Sequence, residues 1–179
     1  MNEAPPPPRD RNAGRRQANH NGGAFQTRLE LTFLGYKDQN RAHLEKVDPP
    51  IRVMGGGKNR RVIFMKNPWL DFGGVWTEQG GRALHLEAKS TTDPRLSIGS
   101  DHGVTADQVD AIRRWSAAGA ACAVVWWHAD QMKIITAPEL LDCWNSGAKS
   151  IKWRHVPAVH RGTGLIEFDI LTELAARIC

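Results

Sequence analysis

The chain has 179 residues, a formal net charge of +5 and a pI of about 9.4. This length suits one domain with a real core, and no apolar run approaches the ~18 residues of a membrane span, so we expect a soluble, intracellular protein without a membrane partner. The cysteines Cys122, Cys143 and Cys179 are odd in number and far apart, which argues against a disulfide framework or a zinc site. The basic balance favours a polyanionic partner.

The first 19 residues are predicted to form a disordered arm rich in proline and arginine, ahead of a folded domain over residues 20–179. Four consecutive prolines at positions 5–8 favour polyproline II, and the residues that follow have almost nothing apolar to bury. Arg15 and Arg16 belong to a group of arginines that could neutralise DNA phosphates. A tail that only aids solubility is the alternative.

A helix is predicted over residues 23–38 because apolar side chains recur there at helical spacing. They are Phe25, Leu29, Phe33 and Tyr36. Residues 41–53 are typical of a short strand that two prolines interrupt. The segment GGGKNRR at 55–61 then indicates a flexible hairpin tip whose basic residues, Lys58, Arg60 and Arg61, contact DNA. It lacks the Gly-Lys-Ser/Thr pattern and the following helix of a P-loop.

The stretch 70–90 is predicted to be a β-hairpin that carries a metal site, with Asp71 on one strand and Glu87-Ala88-Lys89 on the other. Strand alternation puts Glu87 and Lys89 on one face, with His85, and apolar residues on the other. Two carboxylates that approach each other need a proton or a cation between them. Mg²⁺ prefers oxygen ligands, so we expect it on Asp71, Glu87, the Ala88 carbonyl and waters, with Lys89 beside the scissile phosphate. A surface ion pair between Glu87 and Lys89 is the alternative.

The segment 91–103 is predicted to be a polar loop, followed by a helix that Thr105 caps and that ends at Gly119. Gln108 has two possible roles, to close the capping box or to orient a water or phosphate beside the metal. Both can hold at once.

The remaining pattern predicts strands over 120–127 and 132–136, a helix over 138–144 and a last helix over about 168–178. Residues 145–164 are predicted to be irregular. They are basic and contain aromatic side chains, which suits a nucleic-acid surface, although ordinary exposed loops have similar compositions. This order of elements indicates an α/β fold around a mixed sheet.

Several of these segments resemble, in order, the motifs of one nuclease family. KVDPPI at 46–51 resembles its lysine- and proline-rich strand, DFGGV at 71–75 its D-Y-x-G-V, and LEAKST at 86–91 its F-x-A-K-E-T. Gln108 falls where that family has His-Gln. From about residue 20 onward, the chain resembles a RecU-type Holliday junction resolvase of the PD-(D/E)xK nuclease superfamily.

The resemblance implies a restriction-endonuclease-like fold and a homodimeric endodeoxyribonuclease that nicks opposed strands of four-way or branched DNA. It implies a role in recombination and repair, a cytoplasmic, nucleoid-associated location, and a Mg²⁺ cofactor that Mn²⁺ can replace. Asp71 and Glu87 become metal ligands, Lys89 the catalytic lysine and Gln108 a supporting polar group. Lys46, on the matching strand, becomes a DNA contact.

Two departures from the family pattern bear on specificity. The glutamate that the superfamily usually offers from its opening helix is replaced by Gln26, although Glu30 lies one turn further on. In RecU proteins a long stalk before the catalytic aspartate enters the centre of the junction, whereas here only about residues 53–67 are available for it. The basic tip at 55–61 would therefore have to contact the junction centre. A less selective or restriction-like nuclease of the same superfamily therefore remains an alternative, as does a catalytically silent DNA-binding module.

Overall fold

The computed structural model describes residues 13–64 and 69–178, with side chains from Gly23 onward except that of Phe64. The four helices are α1 Ala13–Asp38, α2 Ala106–Ala117, α3 Ala137–Asn145 and α4 Ile170–Ile178. The strands are β1 His43–Lys46, β2 Ile51–Met54, β3 Arg61–Phe64, β4 Phe72–Trp76, β5 Arg82–Ser90, β6 Arg95–Ser97, β7 Ala121–His128, β8 Gln131–Thr136 and β9 Ser150–Lys152. None of the described helices is both long and apolar enough to cross a membrane.

Five strands form the main sheet, in the order β1-β4-β5-β7-β8. Neighbouring strands are antiparallel except β5 and β7, which run parallel and are connected through β6 and α2. Parallel neighbours need such a crossover connection, because a tight turn reverses the direction of the chain and can join only antiparallel strands. The predicted α/β fold with a mixed sheet flanked by helices is confirmed.

Both faces of the sheet are covered. One core lies under α1 and α4 and includes Leu84 and Leu86 of β5; the other lies under α2 and α3. The sequence predicted that one face of β5 packs in the core and that the other carries the catalytic residues. The structure also buries this second face, beneath α2, so that only 1% of Glu87 is exposed to solvent.

Helix α1 begins at Ala13, ten residues before the predicted start at Gly23 and inside the segment 1–19 predicted as an arm. The prediction relied on apolar periodicity, which is absent before Phe25. The helix extends without it because this stretch contains no proline and includes alanine, arginine and glutamine, which favour helices. Residues 1–12 lie outside the described part of the chain.

The predictions of a polar loop over 91–103 and an irregular segment over 145–164 are partly wrong. Each contributes one strand to a two-stranded antiparallel ribbon, β6–β9, in which Arg95 pairs with Lys152 and Ser97 with Ser150. Three-residue strands are too short to show alternation, and their partners are distant in sequence. The last helix starts at Ile170, two residues later than predicted.

A separate antiparallel hairpin, β2–β3, precedes the candidate site in the chain, with Ile51 opposite Phe64 and Met54 opposite Arg61. All residues from 51 to 63 are exposed. The predicted short stalk-like hairpin with a basic tip is therefore present. Each of its strands has four residues.

Candidate active site

The pairing of β4 with β5 brings the two predicted carboxylates together. Phe72 pairs with Leu86, so Asp71, one position earlier, comes opposite Glu87. The Ala88 backbone N–H donates to Asp71 Oδ2 at 3.0 Å, and the Val47 N–H donates to the Asp71 carbonyl at 2.8 Å. The backbones on either side thus fix both the main chain and the side chain of Asp71.

The two carboxylate oxygens of Glu87 differ in their hydrogen bonding. Its Oε1 accepts hydrogen bonds from Lys89 Nζ at 2.8 Å and from Gln108 Nε2 at 2.5 Å. Its Oε2 is buried and has no hydrogen-bond partner among the described residues. A buried polar atom without a partner costs free energy, so a cation or a proton at this oxygen would stabilise the site.

Burial, as the larger cause, and the negative charge of Asp71 together raise the pKa of Glu87 to about 7, although Lys89 opposes the change. Above that pH, two neighbouring carboxylates are charged in a site from which water is largely excluded. A cation between them relieves the repulsion.

The oxygen donors present suit a hard divalent cation. Asp71 and Glu87 supply carboxylates, and the Ala88 carbonyl points to the same side of β5 as its N–H, which bonds Asp71. In the part of the chain that is described, no group of three or more His, Cys, Asp or Glu residues is placed to hold a metal ion. A metal here would therefore depend on two carboxylates, a backbone carbonyl and water.

Gln108 closes the predicted capping box and also contacts Glu87, while its predicted role in orienting a water or phosphate stays a prediction. Its Oε1 accepts from the Thr105 N–H at 2.9 Å, and its own N–H donates to Thr105 Oγ1 at 3.3 Å, which closes the capping box of α2. Because the amide oxygen is used by the cap, the amide NH₂ is directed at Glu87. The start of α2 and the carboxylate are thereby linked.

Neither Gln26 nor Glu30 supplies the carboxylate that the superfamily usually offers from its opening helix. Gln26 accepts a hydrogen bond from Lys46 Nζ at 3.3 Å, so these two residues pair with each other at the end of β1 that lies opposite Phe72. Glu30 is exposed and forms no hydrogen bond or ion pair with any described residue. The structure gives no support for Glu30 as a substitute ligand.

The predicted basic contacts do not join the cluster. Lys58, Arg60 and Arg61 are exposed on the β2–β3 hairpin, which forms a sheet of its own. The side chains of Arg15 and Arg16 lie outside the described residues. Asp71, Glu87, Ala88, Lys89 and Gln108 are thus the predicted residues that the fold brings together, with Lys46 at the adjacent strand end.

An aromatic stack that the sequence did not reveal adjoins the carboxylates. The His85 and Trp115 rings lie 4.6 Å apart, and Trp69 stacks on Trp115 at 4.7 Å. Burial lowers the pKa of His85, which favours its neutral form. The alternation along β5 did place His85 on the face of Glu87, but nothing local indicated that Trp69 and Trp115 would cover it.

The family model described as Recombination protein U matches residues 20–163 of the chain. No curated protein matches. Among solved structures, Hjc, a Holliday junction resolvase from Archaeoglobus fulgidus, is 17% identical over 63% of this chain and 77% of its own, with a TM-score of 0.39. The protein SSO0001 is 12% identical over 70% of this chain and 59% of its own, with a TM-score of 0.30. Since the family match covers most of the chain and every residue of the cluster, the chain belongs to the RecU (Recombination protein U) family.

Proposed function

We propose that this protein is a Holliday junction resolvase, a structure-selective endonuclease that hydrolyses phosphodiesters in four-way or branched DNA during recombination and repair. The observation that carries the proposal is the cluster of Asp71, Glu87, Lys89 and Gln108, because all four lie within the RecU match and Glu87 contacts both Lys89 and Gln108 directly. A protein that only binds DNA would gain nothing from two carboxylates beside a phosphate, because like charges repel each other.

The proposed cofactor is Mg²⁺, which Mn²⁺ can replace. When bound, it would lower the pKa of a water and polarise the phosphate. Asp71, Glu87 and the Ala88 carbonyl would hold it. The hydrogen bond from the Ala88 N–H keeps Asp71 in place, and the unpartnered Oε2 of Glu87 is the atom that gains most from a cation.

Lys89 and Gln108 act through position and charge. The Lys89 ammonium lies 2.8 Å from Glu87 Oε1, so it adds a fixed positive charge where negative charge develops on the phosphate during in-line attack. Gln108 is a positioning residue. Its amide holds Glu87 Oε1, which keeps the other oxygen of this carboxylate available for the metal.

We further propose that the active form is a homodimer bound to a four-way junction. Cutting two opposed strands symmetrically requires two active sites related by a dyad. The exposed basic residues Lys58, Arg60 and Arg61 on the β2–β3 hairpin would contact the DNA, together with Lys46 and the arginines of the N-terminal segment.

The short hairpin favours one alternative function. With four residues in each strand, β2–β3 offers little surface for recognising the centre of a junction. A less selective or restriction-like nuclease, acting on duplex and branched DNA alike, would use the same cluster without that recognition.

The test is cleavage of a labelled four-way junction beside linear duplex and single strand of the same sequence, with Mg²⁺, with Mn²⁺ and with EDTA. The proposal predicts paired symmetric nicks in the junction alone, lost with EDTA. Equal cutting of all substrates would leave the site assignment in place and establish the less selective nuclease. Binding without any metal-dependent cleavage would overturn the nuclease proposal and favour a silent DNA-binding module.

A further inference from the structure

A groove lined by cations and hydroxyl groups begins directly after the candidate catalytic lysine. It encloses about 640 Å³ between the end of β5, the loop before α2 and the β6–β9 ribbon. Its cations are Arg95 and Lys149, His102 also lines it, and its hydroxyl groups include those of Thr92, Ser97 and Ser150. Among the described residues that line it, Asp93 is the only acidic one.

The ribbon presents like charges to solvent. Arg95 pairs with Lys152 across β6 and β9, so two positive side chains stand on the same face, directly opposite each other. Their neighbours on that face are Ser97 and Ser150, whereas Leu96 on the opposite face is fully buried in the core under α2 and α3. Like charges in this position destabilise a strand pair. Because Leu96 is buried in the core on the other face, the ribbon cannot rotate to separate the two positive side chains.

These cations are available for a ligand. Arg95, Lys149 and Lys152 are exposed and form no ion pair with any described acid. By contrast, Arg28, Arg41 and Arg177 of the helices and sheet connections are each paired with a carboxylate. Asp93 alone cannot neutralise the groove, which therefore keeps a net positive charge.

The groove and the candidate active site lie at the same end of the sheet, where β5 ends. Ser90, which lines the groove, follows Lys89 in β5, and His102 lies in the loop that leads to Thr105 and the start of α2. A strand of DNA whose phosphate lies at Lys89 would have its neighbouring phosphates within this groove.

We propose that the groove binds the phosphodiester backbone of the DNA arm next to the scissile phosphate. Arg95 and Lys149 in the groove, and Lys152 beside it on the ribbon opposite Arg95, would neutralise phosphates. The serine and threonine hydroxyls would donate to phosphate oxygens. This inference rests on the proposed nuclease function, since it assigns the path of the same substrate. It also gives a reason for placing two cations opposite each other on a short ribbon.

The first test measures DNA binding as a function of salt, in EDTA so that no cleavage occurs. Arg95→Gln, Lys149→Gln and Lys152→Gln are compared with wild type on a labelled four-way junction and on linear duplex. Each lost phosphate contact should reduce the slope of log K against log salt by ~0.9, and the triple variant by about three times as much. Lys37→Gln is the matched control. It removes an exposed charge in the last turn of α1. Helix α1 is followed by the start of β1, which lies at the opposite end of the sheet from the groove.

The second test separates binding from folding. Lys152→Glu replaces a repulsive pair by an attractive one, so the free protein should have a Tm at least as high as wild type while its DNA affinity falls at least tenfold. Arg95→Lys, which keeps the charge, should retain most of the wild-type salt slope. A lower Tm together with lost binding in Lys152→Glu would mean that the residue is structural, and would overturn the inference.

The outcomes distinguish the groove from the nuclease proposal. Unchanged salt slopes in all three glutamine variants would refute the groove while leaving metal-dependent cleavage untouched. Reduced slopes in a wild-type background that never cleaves DNA would establish the groove and refute the nuclease. A wild-type protein that does not bind DNA would refute both.

Discussion

Replacing Glu87 by glutamine should make the metal-free protein more stable at high pH. Burial and the charge of Asp71 raise the pKa of this carboxyl from 4.5 to about 7. Glutamine is nearly isosteric and stays neutral at every pH. Its amide oxygen can still accept from Lys89 and Gln108, and its NH₂ can donate to the Asp71 carboxylate.

The sign and size follow from proton linkage. The folded protein holds a proton on Glu87 at pH values where the unfolded chain has lost it, so this group stabilises the fold below about pH 4.5, and that contribution is lost as pH rises through about 7. The difference between the two pKa values corresponds to about 3 kcal/mol. Glu87→Gln should therefore match wild type near pH 4 and exceed it by up to ~3 kcal/mol near pH 8.

The assay is urea denaturation of wild type and Glu87→Gln in EDTA at several pH values, with the free energy of unfolding taken from linear extrapolation. The difference between the two proteins is the relevant quantity, because histidines and other shared groups cancel in it. Adding Mg²⁺ should stabilise wild type more at pH 8 than at pH 6 and leave the variant nearly unchanged. A difference in stability that does not vary with pH would refute the assigned electrostatics of Glu87.

Two further predictions concern positions where local geometry decides the outcome. Gln108→Ala and Thr105→Ala both break the capping box, so each should lower the free energy of unfolding by ~1 kcal/mol. Only Gln108→Ala should reduce cleavage strongly, because only Gln108 contacts Glu87. Equal losses of cleavage in the two variants would contradict the positioning role of Gln108. Gly74→Ala should largely prevent folding, because its Cβ would clash with the carbonyl oxygen of His43 in the paired strand, whereas Gly56→Ala, with nothing within 4 Å, should be tolerated. Circular dichroism and thermal melts of both variants test this, and a folded Gly74→Ala protein would show that β1 and β4 do not pair closely.

Local signals predicted those parts of the fold that depend on neighbours in the chain. The capping box at Thr105 and Gln108 needs only four residues, and the structure has it. The same holds for the apolar face of α1 and for the hairpin that sets Asp71 against Glu87. In each case the interacting groups lie close in sequence, so spacing alone specifies the geometry.

Features that depend on distant parts of the chain escaped prediction. The β6–β9 ribbon pairs residues more than fifty positions apart, as with Arg95 and Lys152. The stack of Trp69 on Trp115 requires α2 to pack over β5. The start of α1 was missed for another reason, because a helix without an apolar face leaves no periodic signal.

The site was predicted more completely than the energetics that govern it. Asp71, Glu87, Lys89 and Gln108 were all named from sequence, and three of them share contacts in the structure. The burial of Glu87 was not foreseen, since strand alternation identified the face opposite the core but not the helix that covers it. That burial is what raises the pKa of the carboxyl and leaves Oε2 without a partner.

The central claim is that Asp71 and Lys89 perform phosphodiester hydrolysis, and single-turnover cleavage of a labelled four-way junction by Asp71→Asn and Lys89→Ala tests it most directly. Binding of each variant is measured in parallel in EDTA, and Glu45→Gln, an exposed carboxylate on β1, serves as the matched control. We predict that cleavage is abolished in both variants while junction binding stays largely intact, and that Glu45→Gln cleaves like wild type. Substantial cleavage by either Asp71→Asn or Lys89→Ala would contradict the assignment.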